Sequence, residues 1–229
     1  MVMAAPPAKP LCEVRVYSRR HRYAGTLDVL GHWQGSPALL DYKTGSPRDV
    51  ACDLQTAGYM GALLEMTANG DAPEALTFEP LTHTYRLNGT ILPSVTQILQ
   101  RAGLIDFSSV PGAILQAAKD RGSAVHQALH YYNEGDLDAA FTTDFPQYAG
   151  YLSAWVRFLD ESGFEFATAM DVAAITHIKR FAIQLRKDGS YRTEPYEKAS
   201  DFAEFVALRQ AQAIVERRRG AWVDAAEVA

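Results

Sequence analysis

Residues 23–45 read YAGTLDVLGHWQGSPALLDYKTG, and this stretch decides the fold. Two apolar-rich runs, residues 22–33 and 36–45, flank the turn-forming sequence Trp33-Gln34-Gly35-Ser36-Pro37, as two strands joined by a short connection do. Asp28 closes the first strand-like run, and Asp41 and Lys43 sit on the second. Positions 41 and 43 are two apart, so their side chains share one face of a strand. A turn between the strands brings Asp28 beside Asp41. Two carboxylates and an ammonium are what metal-assisted phosphodiester hydrolysis requires. The carboxylates hold a hard cation, the cation polarises a phosphate and lowers the pKa of water, and the lysine offsets developing charge. A bare D-x-K tripeptide is also common on surface hairpins, so its surroundings must decide.

Upstream, residues 11–18 (LCEVRVYS) alternate Leu11, Glu13, Arg15 and Tyr17 against Cys12, Val14 and Val16, which predicts another strand. Downstream, residues 53–66 predict a helix with apolar Leu54, Ala57, Ala62 and Leu64, stopped by residues 69–73 (NGDAP). Gln55 and Tyr59 lie four apart and so share a helix face. A new unit begins near Thr77. HTYRLNGTIL carries a hairpin signal at Asn88-Gly89, and PSVTQILQRAG is a short helix with Ser94 as cap and Gly103 past its end. Residues 111–134 and 146–162 predict two long helices, the second amphipathic through Tyr148, Tyr151, Leu152, Trp155, Phe158 and Leu159. Residues 175–186 and 190–196 form a hairpin about Asp188-Gly189, and residues 201–219 a last helix with Phe202, Phe205, Val206 and Ala213 on one side. This order of elements predicts a mixed α/β domain.

The 229 residues suit one large domain or two small ones. Residues 1–10 (MVMAAPPAKP) read as a flexible tail, leaving residues 11–229 as the folded unit. No apolar run approaches the length of a membrane span and no signal peptide is evident, which predicts a soluble, cytoplasmic protein. The two cysteines, Cys12 and Cys52, exclude a disulfide scaffold and a four-cysteine metal site. A net charge of −5 argues against a generic nucleic-acid coat and leaves room for a local basic groove.

With these residues in view, the chain resembles the RecB-like PD-(D/E)XK nucleases, and among them the phage-type exonucleases. YAGTLD, LLDYKTG and QTAGY resemble the family's two acidic motifs and the helix that follows. RGSAVH (residues 121–126) resembles its helix motif with a metal-binding histidine. HTYRLNGTILPSVTQIL resembles the segment before that helix, and IQLRKDGSYRTEPY with the last helix resembles its C-terminal piece. The resemblance implies a PD-(D/E)XK restriction-endonuclease-like core, α/β, with a central mixed sheet flanked by helices. It implies that Asp28 and Asp41 bind Mg2+ or Mn2+, that Tyr42 lends a backbone carbonyl, that Lys43 is the catalytic lysine and that His126 is a further ligand. Gln55 and Tyr59 would approach DNA or the active site, and Glu13 would be an auxiliary carboxylate. The implied function is metal-dependent DNA cleavage, as an exonuclease of phage or prophage recombination and repair, with DNA and a recombination protein as partners. An endonuclease of the same superfamily, or a non-catalytic DNA-binding or scaffold protein on a decayed nuclease fold, are the alternatives.

The segment order departs from the family, which places the RGxxxH helix before the acidic strands. Residues 77–170 resemble the family's N-terminal segment displaced behind residues 11–76, with residues 171–229 as the C-terminal hairpin and helix. Gly163-Phe164-Glu165 resembles the lead-in to a strand that family order would continue into LCEVRVYS. The seams fall near residues 68–77 and 167–177.

Simpler readings stand beside these. His126 and His130, four apart on a helix, suggest zinc, but residue 127 is Gln where a zinc protease carries Glu. Arg15, Arg19, Arg20, His21 and Arg22 form either a solvated turn or a phosphate-tracking patch, in which Arg19, Arg20 and Arg22 would touch DNA. Arg121, off the His126 face, would contact phosphate or an acid. Arg217, Arg218 and Arg219 suit a helix C-terminus. Asp136, Asp138 and Asp144 read as an exposed loop, the aromatic stripe as core, and the cysteines as small buried residues.

Overall fold

Three antiparallel strands, β1 (Cys12–Ser18), β2 (Tyr23–Trp33) and β3 (Ser36–Lys43), open the fold as a meander. The computed structural model describes residues 9–47, 49–168 and 177–226, with side chains described as far as Arg217. The β2–β3 turn is tighter than the five residues the sequence suggests. It consists of Gln34 and Gly35 alone, at φ +52° and +71°, the conformation that matches the twist of two adjoining strands. Pro37 therefore falls inside β3, opposite His32. Helix α1 (Val50–Asn69) follows, started by the Asp49 carboxylate accepting from the Ala51 N–H and ended by left-handed Gly70.

A small antiparallel sheet comes next: β4 (Leu76–Glu79), β5 (Thr84–Leu87) and β6 (Thr90–Leu92), with Asn88 and Gly89 both at positive φ in the last turn. Ser94 and Gln97 form a reciprocal capping box on α2 (Val95–Arg101). Helices α3 (Gly112–Glu134), α4 (Phe141–Asp144) and α5 (Pro146–Ser162) lead to the short β7 (Glu165–Phe166). Strands β8 (Lys179–Leu185) and β9 (Tyr191–Tyr196) and helix α6 (Asp201–Ala226) complete the chain. The first two residues predicted for the last hairpin, 175 and 176, lie outside the described residues, as do most of the second seam and most of the tail.

The central sheet runs β1-β2-β3-β8-β9, with β3 and β8 parallel and the other neighbours antiparallel. It is a mixed sheet with helices on both faces. On one side α1, α2 and α6 bury Leu54, Tyr59, Leu63, Ile98 and Phe205 against Leu27 and Leu39. On the other, α3 and α5 bury Val125, Leu129, Trp155 and Phe158 against Val29, Leu40 and Ile183. Adjacent Leu39 and Leu40 thus face opposite cores, which explains the unbroken apolar run in a strand covered on both faces. Most of the aromatic stripe of α5 lies in the second core. Among the described residues no helix is long and apolar enough to cross a membrane.

β7 joins the sheet on the same edge of β2 as β1. Glu165 pairs with His32 and Phe166 with Gly31, while Cys12 pairs with Val29. Between them Ala167 N donates to Leu30 O, Leu30 N donates to Leu11 O, and Leu11 N donates to Ala167 O at 2.7 Å. β7 and β1 are thus two halves of one strand line, and their junction at Leu30 is closed by a hydrogen bond instead of a peptide bond.

Candidate metal and phosphodiester site

The site forms where β2 and β3 diverge. Their ladder ends at Val29 opposite Leu40. One residue further, Asp28 Oδ2 accepts from the Tyr42 backbone N–H at 2.6 Å, so a carboxylate replaces a strand carbonyl. β3 continues alone against β8 through Lys43. The fork leaves room for the carboxylates of Asp28 and Asp41 inside the sheet, 6% and 2% exposed.

Glu13 lies across from Asp28, between the Cys12–Val29 and Val14–Leu27 pairs. Its φ of +51° is a left-handed value at the second residue of β1, a conformation that costs of order 1–3 kcal/mol in a non-glycine residue and collects at functional sites. Carboxylates facing each other across a ladder repel. The third member relieves that repulsion: His126 of α3 places Nδ1 3.4 Å from Asp28 Oδ1 and 3.8 Å from Glu13 Oε1. One ligand atom from each of Glu13, Asp28 and His126 falls within 4.8 Å of the others. Two carboxylate oxygens and an imidazole nitrogen suit Mg2+ or Mn2+, and a strained, mutually repelling acidic pair is what a cation would stabilise. These residues fit such an ion.

Asp41 stands apart from that triad and pairs with Lys43, Oδ2 to Nζ at 2.5 Å, as an ion pair without hydrogen-bond alignment. Lys43 Nζ donates to Gln55 Oε1 at 3.1 Å, and Gln55 Nε2 donates to the Tyr59 hydroxyl at 2.8 Å. Gln55 therefore reaches the site, and Tyr59, buried beneath Gly25, is joined to it through Gln55. Tyr42 enters through its N–H to Asp28, and its ring packs edge-on to His126 at 5.5 Å.

The charges are set by burial and by neighbours. Burial raises the Asp41 pKa to about 6 against the pull of Lys43. For Asp28 burial pushes the same way, but His126 and Lys43 overcome it and hold the carboxyl below its ordinary value. Burial also raises Glu13, with His126 opposing. Lys43 is raised because Asp41 outweighs its burial, so it is an ammonium at neutral pH. His126 rises to about 10, since Asp28 and Glu13 outweigh burial.

Sequence reasoning missed Asn133. Its amide donates to the Tyr42 hydroxyl at 3.1 Å and accepts from Trp155 Nε1 at 2.8 Å, tying α3, β3 and α5 together behind His126. Only its position seven residues, two helical turns, beyond His126 hints at this. The basic cluster is dispersed. Arg19 is bound to Asp71 at 3.1 Å and lies over Tyr17, Arg15 donates to Leu76 O, and Arg20 and Arg22 remain exposed. Arg121 sits on α3 with Nε buried and without a hydrogen-bond partner. His130 lies nearest Glu134, at 3.9 Å, and not in the triad. Cys12 beside Asn133 is pushed up to about 12 by burial and is an inert thiol at neutral pH. A scan against protein-family models, a search of curated proteins and a search of solved structures each return no match to this chain.

Proposed function

We propose that the chain is a Mg2+- or Mn2+-dependent deoxyribonuclease on a RecB-like PD-(D/E)XK core whose segments stand in permuted order. The observation that carries the reading is the convergence of Glu13, Asp28 and His126 beside the Asp41–Lys43 pair, from segments about a hundred residues apart. The three-stranded meander, followed by α1 and by a strand parallel to β3, supports the same core. Exonuclease action, with a recombination protein as partner, follows from the phage-type resemblance.

A divalent ion held by Glu13, Asp28 and His126 supplies positive charge to a phosphate oxygen and acidifies water. The chain's own groups do the rest. Lys43, cationic and anchored by Asp41 and Gln55, is fixed as a charge donor to the phosphate and cannot serve as a base at neutral pH. Asp41 is ionised above about pH 6 and keeps Lys43 in place. Glu13 and His126 are 35% and 31% exposed at their side chains against 8% and 3% for Asp28 and Asp41, so substrate approaches over Glu13 and His126.

The test is end-labelled linear duplex and closed circular DNA with Mn2+, Mg2+, Ca2+ or chelator. Shortening of the linear substrate with Mn2+ or Mg2+, absent with chelator and in Asp28→Asn, is the expected result. Nicking of the circle would make the enzyme an endonuclease. DNA binding without cleavage under any ion would favour the scaffold alternative and sink this reading.

A further inference from the structure

A second charged feature lies outside the acidic centre. The β1–β2 turn, β6, α2 and α6 enclose a groove of about 440 Å³ whose polar lining is Arg22, Gln97, Arg101, Arg209, Glu216 and Arg217. Four guanidinium groups face one carboxylate there, an excess of three positive charges on a chain whose net charge is −5. Glu216 is shared, 3.0 Å from Arg101 and 3.2 Å from Arg209. Arg209 is buried and donates from Nε to the Arg22 carbonyl, so it braces the groove from below. Arg22 and Arg217 are exposed, and among the described residues neither has a carboxylate within ion-pair distance. Such a local excess against an opposite overall charge is a field that attracts polyanions.

Its place relative to the acidic centre is defined by β2. Asp28, Thr26 and Ala24 alternate along that strand, and Arg22 is the turn residue just before it, at φ +55°. Thr26 Oγ1 bonds to the Tyr85 hydroxyl at 2.9 Å and Ala24 N donates to Pro93 O at 3.0 Å, so the β5–β6 hairpin and the residue after it lie along this stretch of β2. The six residues from Arg22 to Asp28 span at most roughly 20 Å, or about six nucleotides of one duplex strand at ~3.4 Å each.

We infer that this groove seats the phosphodiester backbone of a DNA duplex about six nucleotides from the bond at the acidic centre, with Arg22 and Arg217 as the phosphate contacts. The inference rests on the nuclease reading and adds to it a direction for the bound strand, over the β5–β6 hairpin towards α6.

The experiment measures binding of fluorescein-labelled duplexes of increasing length, with Ca2+ present, over a range of salt. For the full chain, affinity is expected to climb until the duplex covers the roughly 20 Å span and then level off. Arg22→Ala/Arg217→Ala should flatten that length dependence. It should also reduce the slope of log affinity against log salt by about two, one for each lost phosphate contact. Arg22→Lys/Arg217→Lys should restore the slope, since a point charge suffices. An unchanged slope in the alanine pair would overturn the groove while leaving the nuclease intact. Wild-type binding with the expected slope but no metal-dependent cleavage would retain the groove and overturn the nuclease. Loss of binding to phosphatidylserine vesicles with an unchanged DNA slope would reassign the groove to a lipid surface and likewise overturn the inference.

Discussion

The imidazole of His126 lies between Asp28 and Glu13, at 3.4 and 3.8 Å. Burial alone would lower its pKa, but the two carboxylates raise it from 6.5 to about 10. A group whose folded pKa is raised adds stability that is complete below its unfolded value and is lost as pH rises through the folded one. The window is therefore pH 6.5 to about 10. The shift corresponds to roughly 5 kcal/mol at 1.36 kcal/mol per pKa unit, and water at the exposed third of the ring screens this to a few kcal/mol. In a chain of this size that is a fall in Tm of roughly 6–12 °C across the window in chelator. Mn2+ needs the neutral imidazole, so its binding at pH 7 displaces a proton held by about three pKa units, close to 4 kcal/mol. Calorimetric titration with Mn2+ in two buffers of different ionisation enthalpy should therefore report about one proton released per ion. In His126→Ala the pH dependence of Tm across this window should flatten and the proton release disappear. Buffer-independent heat in the wild type, or an unchanged pH slope in His126→Ala, would refute the reasoning.

Four further outcomes follow from the same geometry. Lys43→Ala should slow cleavage by about 10²–10³ and leave DNA affinity in Ca2+ nearly unchanged; a proportional loss of binding would make Lys43 a phosphate anchor. Asn133→Leu leaves Trp155 Nε1 and the Tyr42 hydroxyl without their partner and should cost about 1–3 kcal/mol for each buried group in a urea melt. Arg180→Ala removes the buried partner of Asp201, 2.7 Å away, and of Asp53; a loss of about 3–5 kcal/mol is expected by the same assay, and a wild-type midpoint would show the pair to be dispensable. In Gly150→Ala the new Cβ would stand 1.8 Å from the Lys187 carbonyl, so α5 must shift from the β8–β9 turn, at about 1–3 kcal/mol; an unchanged Tm would contradict the packing described.

The legible parts of the fold were those with local causes. The Ser94 cap, the Gly103 stop and the Asn88-Gly89 turn follow from side chains and φ preferences within a few residues, and the structure has each of them. The turn at Gln34-Gly35 is shorter than its sequence suggests, because Pro37 reads as a breaker whereas residues 37–40 extend as strand once β2 supplies a partner. α1 begins at Val50, three residues before its predicted start, because Asp49 caps it. At the site, Asp28, Asp41 and Lys43 were visible as a spacing on two neighbouring strands. Glu13 was expected as an auxiliary carboxylate and Asp41 as a metal ligand; that Glu13 groups with Asp28 and His126 while Asp41 pairs with Lys43 depends on a backbone distortion at Glu13 and on the strand fork, which no spacing reports. Arg101, Arg209 and Arg22 are far apart in sequence and meet only through packing of α2 and α6 on the β1–β2 turn. No periodicity reports that.

The strand line shared by β7 and β1 bears on how this protein is made. A ribosome adds about 5–20 residues per second, so β1, β2 and β3 emerge roughly ten seconds before residues 165–167 arrive to cover the far end of β2. During that interval the edge of β2 at Gly31 and His32 has no β7 beside it, and until His126 arrives Glu13 and Asp28 have no imidazolium between them. An open strand edge is a template for pairing with other chains. The nascent meander is therefore both an aggregation hazard and a repelling acidic pair until α3, α5 and β7 follow. A cation present in that interval would offset the same repulsion that the imidazole of His126 later relieves.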